Sequence, residues 1–219
     1  IITTAALFAS VSLFAQKKEE TKKTTEPTDP LLKSETYSSL SFRSIGPAVT
    51  SGRIVDIAVN PNNKNEWYIV AAAGGVWKTT NAGVTFNPIF DGQGAYSIGC
   101  ISIDPNNPNV IWVGTGENNN QRAVGYGDGV YKSEDGGKTW KNVGLGKSEH
   151  IGMIAIDPTN SDNVLVAAYG PLWNSGGERG IYKTTDGGTT WKQVLNVSDN
   201  TGFNEVHIDK KHPNIAYAT

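Results

Sequence analysis

An all-β fold of repeated four-stranded antiparallel sheets is what this sequence predicts, and three observations predict it. An eight-residue pattern occurs as Ser133-Glu134-Asp135-Gly136-Gly137-Lys138-Thr139-Trp140 and again as Thr184-Thr185-Asp186-Gly187-Gly188-Thr189-Thr190-Trp191. A looser copy is Thr79-Thr80-Asn81-Ala82-Gly83-Val84-Thr85-Phe86. Each copy follows a short strand pattern with an aromatic residue (Val76-Trp77-Lys78, Val130-Tyr131-Lys132, Ile181-Tyr182-Lys183) and precedes another, so it reads as a hairpin turn. A second turn repeats as Asn60-Pro61-Asn62-Asn63, Asp104-Pro105-Asn106-Asn107 and Asp157-Pro158-Thr159-Asn160. Four-stranded sheets repeated at this period are the blades of a β-propeller, each sandwiched between its neighbours.

Taken in order, residues 1–15 are an apolar, small-residue run that reads as a secretory signal peptide with its start missing, too short for a comfortable membrane span. Residues 16–40 are rich in Lys, Glu, Thr and Pro and bury too little apolar surface to order, so a disordered linker is expected. Residues 41–219 are then the N-terminal part of a propeller, with blades at about 51–90, 96–145 and 149–195 and a partial one at 202–219. Strand signals fall at 98–103, 110–113, 129–132 and 139–143 in the second unit, and at 151–156, 164–168, 180–183 and 190–194 in the third. The first two of each are nearly continuous apolar runs, as expected of strands covered on both faces. Propellers close with roughly four to eight blades, so about three and a half blades read as a fragment of a longer chain.

The eight-residue pattern has a physical reading at each position. The short acceptor at Asn81, Asp135 or Asp186 bonds N–H groups of its own turn, and Gly83, Gly137 or Gly188 supplies a positive φ. Ser133 and its threonine counterparts add hydroxyl bonds, and Phe86, Trp140 or Trp191 closes the hairpin as an apolar plug. These residues are expected to be architectural. The pattern is similar to the Asp-box, or BNR repeat, of β-propellers.

From Phe42 onward the chain resembles large secreted bacterial BNR-repeat proteins described as glycosyl hydrolase-like or sortilin N-terminal-like. The blocks that carry the resemblance include Ser51-Gly52-Arg53-Ile54, Gly74-Gly75-Val76-Trp77-Lys78, Trp112-Val113-Gly114-Thr115-Gly116-Glu117, Tyr126-Gly127-Asp128-Gly129-Val130 and Ser148-Glu149-His150-Ile151-Gly152. The first blade also resembles that of xyloglucan-cleaving propeller glycosidases, in which a catalytic Asp is implied just before the Gly-Gly pair. Here that run is Ala71-Ala72-Ala73, so the two-carboxylate mechanism does not carry over at that position. Phe42-Arg43-Ser44-Ile45-Gly46-Pro47 resembles, loosely, the Arg motif of sialidases.

Strand parity puts both repeated turns on one face and the longer, varied loops on the other, where ligands are expected. The candidate binding residues there are Glu117, Asn118, Gln121, Arg122, Tyr126, Asp128, Trp173, Glu178 and Arg179, joined by Arg43 and Arg53. Carboxylates, amides, Arg and aromatic rings together suit a sugar or a peptide. A net charge of −2 gives no basic footprint for nucleic acid. A single cysteine, Cys100, points to stability from packing and not from disulfides. The Asp-Pro-Asn turns lack the ligand spacing of a calcium loop, and there is no Ser-His-Asp order, metal-ligand spacing or phosphate loop. No metal and no cofactor are therefore expected.

The reading ranked first is a secreted propeller that binds glycan or extracellular polypeptide through the face opposite the repeated turns. A glycoside hydrolase of xyloglucanase or sialidase type, with carboxylates partly in further blades, is the alternative, and a structural or assembly scaffold is the third. The remaining blades of the full-length chain are the partner expected at the open flank. Residues 41–219 expressed alone are expected to self-associate through that flank. Light scattering after size exclusion checks this, and a monodisperse monomer that unfolds cooperatively contradicts it.

Overall fold

The computed structural model describes residues 52–119 and 124–219. The leader, the linker, Arg43, Gln121 and Arg122 lie outside the described residues. Strands β1 (Ile54–Val59), β2 (Trp67–Ala71), β3 (Gly75–Thr79) and β4 (Asn87–Pro88) form one antiparallel sheet in that order. The second sheet is β5 (Ile98–Ile103), β6 (Ile111–Thr115), β7 (Val130–Ser133) and β8 (Lys141–Gly144). The third is β9 (Ile151–Asp157), β10 (Asn160–Ala168), β11 (Gly180–Thr184) and β12 (Lys192–Leu195), and β13 (Val206–Ile208) pairs with β14 (Ala216–Ala218). Four-stranded antiparallel sheets joined in sequence order, each packed on the next, are the blades of a propeller.

The core lies between sheets. Tyr68, Val70, Phe90, Ile98 and Val113 fill the space between the first and second. Trp112, Val130, Ile151 and Val166 fill the next, and Ala167, Ile181, Phe203 and Val206 the one after. β6 is buried along its length, as its apolar run predicts, whereas β12 is exposed along its length.

The eight-residue pattern forms the expected turn three times. Asp135 Oδ1 accepts from Ser133 Oγ at 2.9 Å and from the Thr139 N–H at 2.9 Å, and Oδ2 accepts from Thr139 Oγ1 at 2.6 Å. Asp186 repeats this with Thr184 and Thr190. Asn81 Oδ1 likewise accepts from Thr79 Oγ1 and the Thr85 N–H, while its Nδ2 donates to Thr85 Oγ1. Gly83, Gly137 and Gly188 sit at φ 87°, 86° and 95°, and the residue before each is also left-handed, including the non-glycine Ala82 at φ 56°. Threonine hydroxyl and amide donors hold the Asp135 carboxyl well below the usual range and Asp186 down to about 2. Because the Thr139 and Thr190 amides serve those carboxylates, β8 and β12 begin after the tryptophan, two residues later than the sequence predicts.

The second and third turns also clip their sheets to the one before. The Trp140 indole N–H donates to Ile89 O at 2.8 Å, and that of Trp191 to Val143 O at 2.7 Å. In the reverse direction Lys78 Nζ donates to Gly136 O at 3.0 Å and Lys132 Nζ to Gly187 O at 3.2 Å. Phe86, with no ring N–H, has no such donation to make.

The second repeated turn has one internal mismatch. Asn60, Asp104 and Asp157 each accept the N–H two residues on, at 2.8 to 2.9 Å. Six residues on, Glu66 accepts from Asn60 Nδ2, and Asn163 Nδ2 donates to Asp157 Oδ2. The equivalent residue in the second sheet is Val110, and Asp104 Oδ2 is buried without a partner among the described residues. An unsatisfied buried acceptor costs about 1–3 kcal/mol, more than is lost by trimming a half-buried Val. Val110→Asn is therefore expected to raise the melting temperature by about 2–4 °C per kcal/mol recovered. An unchanged or lowered melting temperature by calorimetry contradicts the assignment.

Candidate functional site

The loops between second and third strands meet the loops between sheets on the face opposite the repeated turns. Backbone bonds join them: Gly75 N to Tyr96 O, Gly116 N to Ser97 O, Gly127 N to Glu149 O and Tyr169 N to His150 O, at 2.7 to 3.0 Å. Among the described residues four aromatic side chains are exposed, and three of them, Tyr96 (65 %), Tyr126 (56 %) and Trp173 (67 %), stand on these loops. The fourth, Tyr217, is on β14.

Where the first strands converge, the same face opens into a cavity of about 610 Å³. Asp56, Cys100, Met153 and Glu205 line it from equivalent positions, each four residues before Asn60, Asp104, Asp157 or Asp209. Asn118 and Asn204 stand at its rim, where Asn118 Nδ2 donates a 3.3 Å hydrogen bond to Asn204 Oδ1. Asp56 ties sheets together, since Oδ2 accepts the Ile101 N–H at 3.1 Å while Oδ1 accepts that of Ile57 at 2.8 Å. Burial, with the Asp56 charge adding, pushes the Cys100 thiol far above its ordinary range, so it stays an unreactive thiol.

The carboxylates singled out in the sequence are engaged in holding loops. Glu117 is buried and ion-paired with Arg53, whose side chain is half exposed, and the Glu117 N–H donates to Ser97 Oγ at 3.1 Å. Asp128 accepts from Tyr131 OH at 2.6 Å and from Thr115 Oγ1 at 3.3 Å. Glu178 Oε2 accepts the Lys147 N–H at 2.9 Å. Arg179 is buried and donates to backbone carbonyls of its own loop. Of the sequence-selected residues, Tyr126 and Trp173 face solvent and Asn118 the cavity, with Arg53 half exposed over Glu117.

Tyr96, Asp56, Tyr169, Asn204 and Glu205 were not selected from the sequence. Alignment of the units on the Asn or Asp that ends each first strand, at Asn60, Asp104, Asp157 and Asp209, carries the signal for Asp56 and Glu205, because it brings them into register with Cys100 and Met153. Tyr96, Tyr169 and Asn204 follow only from the way the loops fold together. Among the described residues no group of three or more His, Cys, Asp or Glu side chains is placed to hold a metal ion. No helix among them is long and apolar enough to cross a membrane.

The chain is similar to xyloglucanases. It is 26 % identical over 196 residues to the xyloglucanase Xgh74A of Acetivibrio thermocellus, covering 74 % of this chain and 22 % of that protein. It is 27 % identical over 203 residues to a xyloglucanase of Hypocrea jecorina, covering 81 % and 24 %. Among solved structures, an ancestral GH74 enzyme superposes with a TM-score of 0.57 at 23 % identity over 76 % of this chain and 22 % of that one, a likeness of fold. The chain thus spans about a quarter of the length of the relatives it matches. No protein-family model matches it, so the sortilin-like resemblance stands on its motifs alone.

Against the xyloglucanase resemblance, the run before Gly74-Gly75 remains Ala71-Ala72-Ala73. Ala72 is buried, and its N–H donates to Arg53 O at 2.9 Å. The run itself supplies no carboxylate, and the Asp91 Oδ1 atom lies 4.0 Å from where a side chain on Gly75 would begin.

His150 is the remaining titratable group of note. It is buried beside the Tyr126 ring, with centroids 5.7 Å apart, and neither ring nitrogen has a partner among the described residues. Glu149 before it holds a left-handed φ of 63°. Burial, with the Arg179 charge adding, lowers the His150 value from 6.5 to about 4. The unfolded chain therefore takes up the proton first as pH falls. Stability is full above about pH 6.5 and declines towards pH 4, by at most about 1.4 kcal/mol per pH unit for one site. Urea unfolding across that range checks this: His150→Phe is expected to flatten the decline, and an unaltered slope contradicts it.

Proposed function

We propose that this chain belongs to a propeller that works outside the cell and binds a neutral glycan of the xyloglucan class on the face opposite the repeated turns. The observation that carries the reading is the placement of Tyr96, Tyr126 and Trp173, all exposed, on the loops of that face, which also opens into a cavity rimmed by Asn118 and Asn204. Sugar rings offer a flat C–H face to an aromatic platform and hydroxyls to amides, and this surface offers both. The names of the similar proteins support a glycan over a polypeptide.

Binding without cleavage is favoured by the loop carboxylates; Asp56 and Glu205 also line the cavity, Asp56 with both oxygens bonded to backbone amides. Hydrolysis at a glycosidic bond needs an acid and a base or nucleophile flanking one bond. Glu117, Asp128 and Glu178 are each bonded to the loops they support, and Ala71-Ala72-Ala73 contributes none. The similarity to xyloglucanases supports a second reading, a glycoside hydrolase whose acid and base come from further blades.

Titration calorimetry of the full-length protein with xyloglucan, beside a reducing-end assay, separates the two. The expected outcome is binding with no new reducing ends, weakened about tenfold by Trp173→Ala or Tyr126→Ala, roughly the worth of one aromatic contact. Reducing ends released at a steady rate establish the hydrolase instead. Failure of xyloglucan to bind or react overturns both.

A further inference from the structure

An exposed tryptophan on a long loop is normally a liability, since it leaves a large apolar ring in water on a mobile segment. The loop that carries Trp173 is not built like a mobile segment. The Arg179 guanidinium, 7 % exposed, sits inside it and donates from Nε to Gly176 O at 2.9 Å and from Nη1 to Tyr169 O at 2.9 Å. Nη2 donates to Pro171 O and, at 2.5 Å, to Asn174 O. The four carbonyls lie on both sides of Trp173 in the chain, so one planar side chain spans the loop from within.

The outside is tied as well. Gly176 N donates to Asp199 O at 2.7 Å and Ser175 Oγ to Asn200 Oδ1 at 2.6 Å, joining the loop to the segment before β13. Glu178 exchanges two bonds with the Lys147 backbone on the other side, at 3.2 and 2.9 Å. Gly170, at φ 82°, is required both for its conformation and because a methyl group there would overlap Arg179 Cγ.

We propose that the loop of residues 169–179 is a preorganised stacking subsite for a single pyranose ring, with Trp173 as its platform and Arg179 as the residue that positions it. The proposal rests on the glycan reading above. A charged ligand is disfavoured, because the guanidinium is committed to carbonyls and leaves no free fork for an anion. A neutral ring with a C–H face needs only the indole and gains from its being held still in advance. Arginine suits the task because its planar fork has five donors against three mobile ones on lysine.

The test is a double-mutant cycle on the full-length protein, read by titration with a xyloglucan oligosaccharide and by amide hydrogen exchange. Arg179→Lys is expected to weaken binding about fivefold and to speed exchange in residues 170–178 while other segments keep their rates. In a Trp173→Ala background it is expected to weaken binding no further, because Arg179 acts through the platform. Additive losses overturn the positioning role, and wild-type exchange rates in Arg179→Lys overturn the clamp. Wild-type affinity in Trp173→Ala overturns the platform while leaving the glycan reading intact, whereas no binding by the unsubstituted protein overturns that reading and the subsite with it. If Arg179→Lys does not fold, Glu178→Ala, which removes the side-chain one of the two bonds to Lys147 at the surface, must show the same coupling at smaller size, and its absence overturns the proposal.

Discussion

The tryptophan that closes each acidic turn donates its ring N–H to the backbone of the preceding sheet, and the rest of the architecture depends on that bond and its partner. Trp140 reaches Ile89 and Trp191 reaches Val143, while Lys78 and Lys132 reach back to Gly136 and Gly187. The sheets bury apolar faces against one another, but burial is non-directional and does not set one register. Directional bonds from a fixed turn do. The turn can be fixed because Asp135 and Asp186 each satisfy several of its donors, at the cost of being unavailable for chemistry.

This division of labour orients the molecule. One face is occupied by uniform short turns whose polar groups bond inward. On the other face the loops vary, and their backbones are sewn to the loops between sheets, leaving rings such as Tyr126 and Trp173 outside. The carboxylates there act as struts: Glu117 under Arg53, Asp128 under Tyr131, Glu178 against Lys147. A surface with anchored acids and bare aromatics is suited to holding a neutral polymer.

The sequence shows the fold well because each blade is made from local signals: apolar runs, Asn/Asp-Pro turns and the acidic turn chemistry of Ser133 to Trp140. It shows the site only in part. Tyr126, Trp173 and Asn118 can be found by composition and loop position. Arg179 cannot be distinguished from a ligand-binding arginine in sequence, since its carbonyl partners are backbone atoms brought round it by Gly170 and Gly176, both in left-handed conformations. Glu117 looks like a catalytic acid until Arg53, 64 residues away, is seen against it. Tyr96 comes to the same surface through an inter-sheet loop whose path no local pattern encodes.

The central claim is that the repeated turns are scaffold and the loop aromatics are the binding surface. Hydroxyl-radical footprinting of the full-length protein with and without a xyloglucan oligosaccharide tests it most directly, because tryptophan and tyrosine report at individual side chains. The account predicts protection at Tyr96, Tyr126 and Trp173 with unchanged labelling at Trp140 and Trp191. Protection at Trp140 or Trp191 with none at Tyr126 and Trp173 would contradict it.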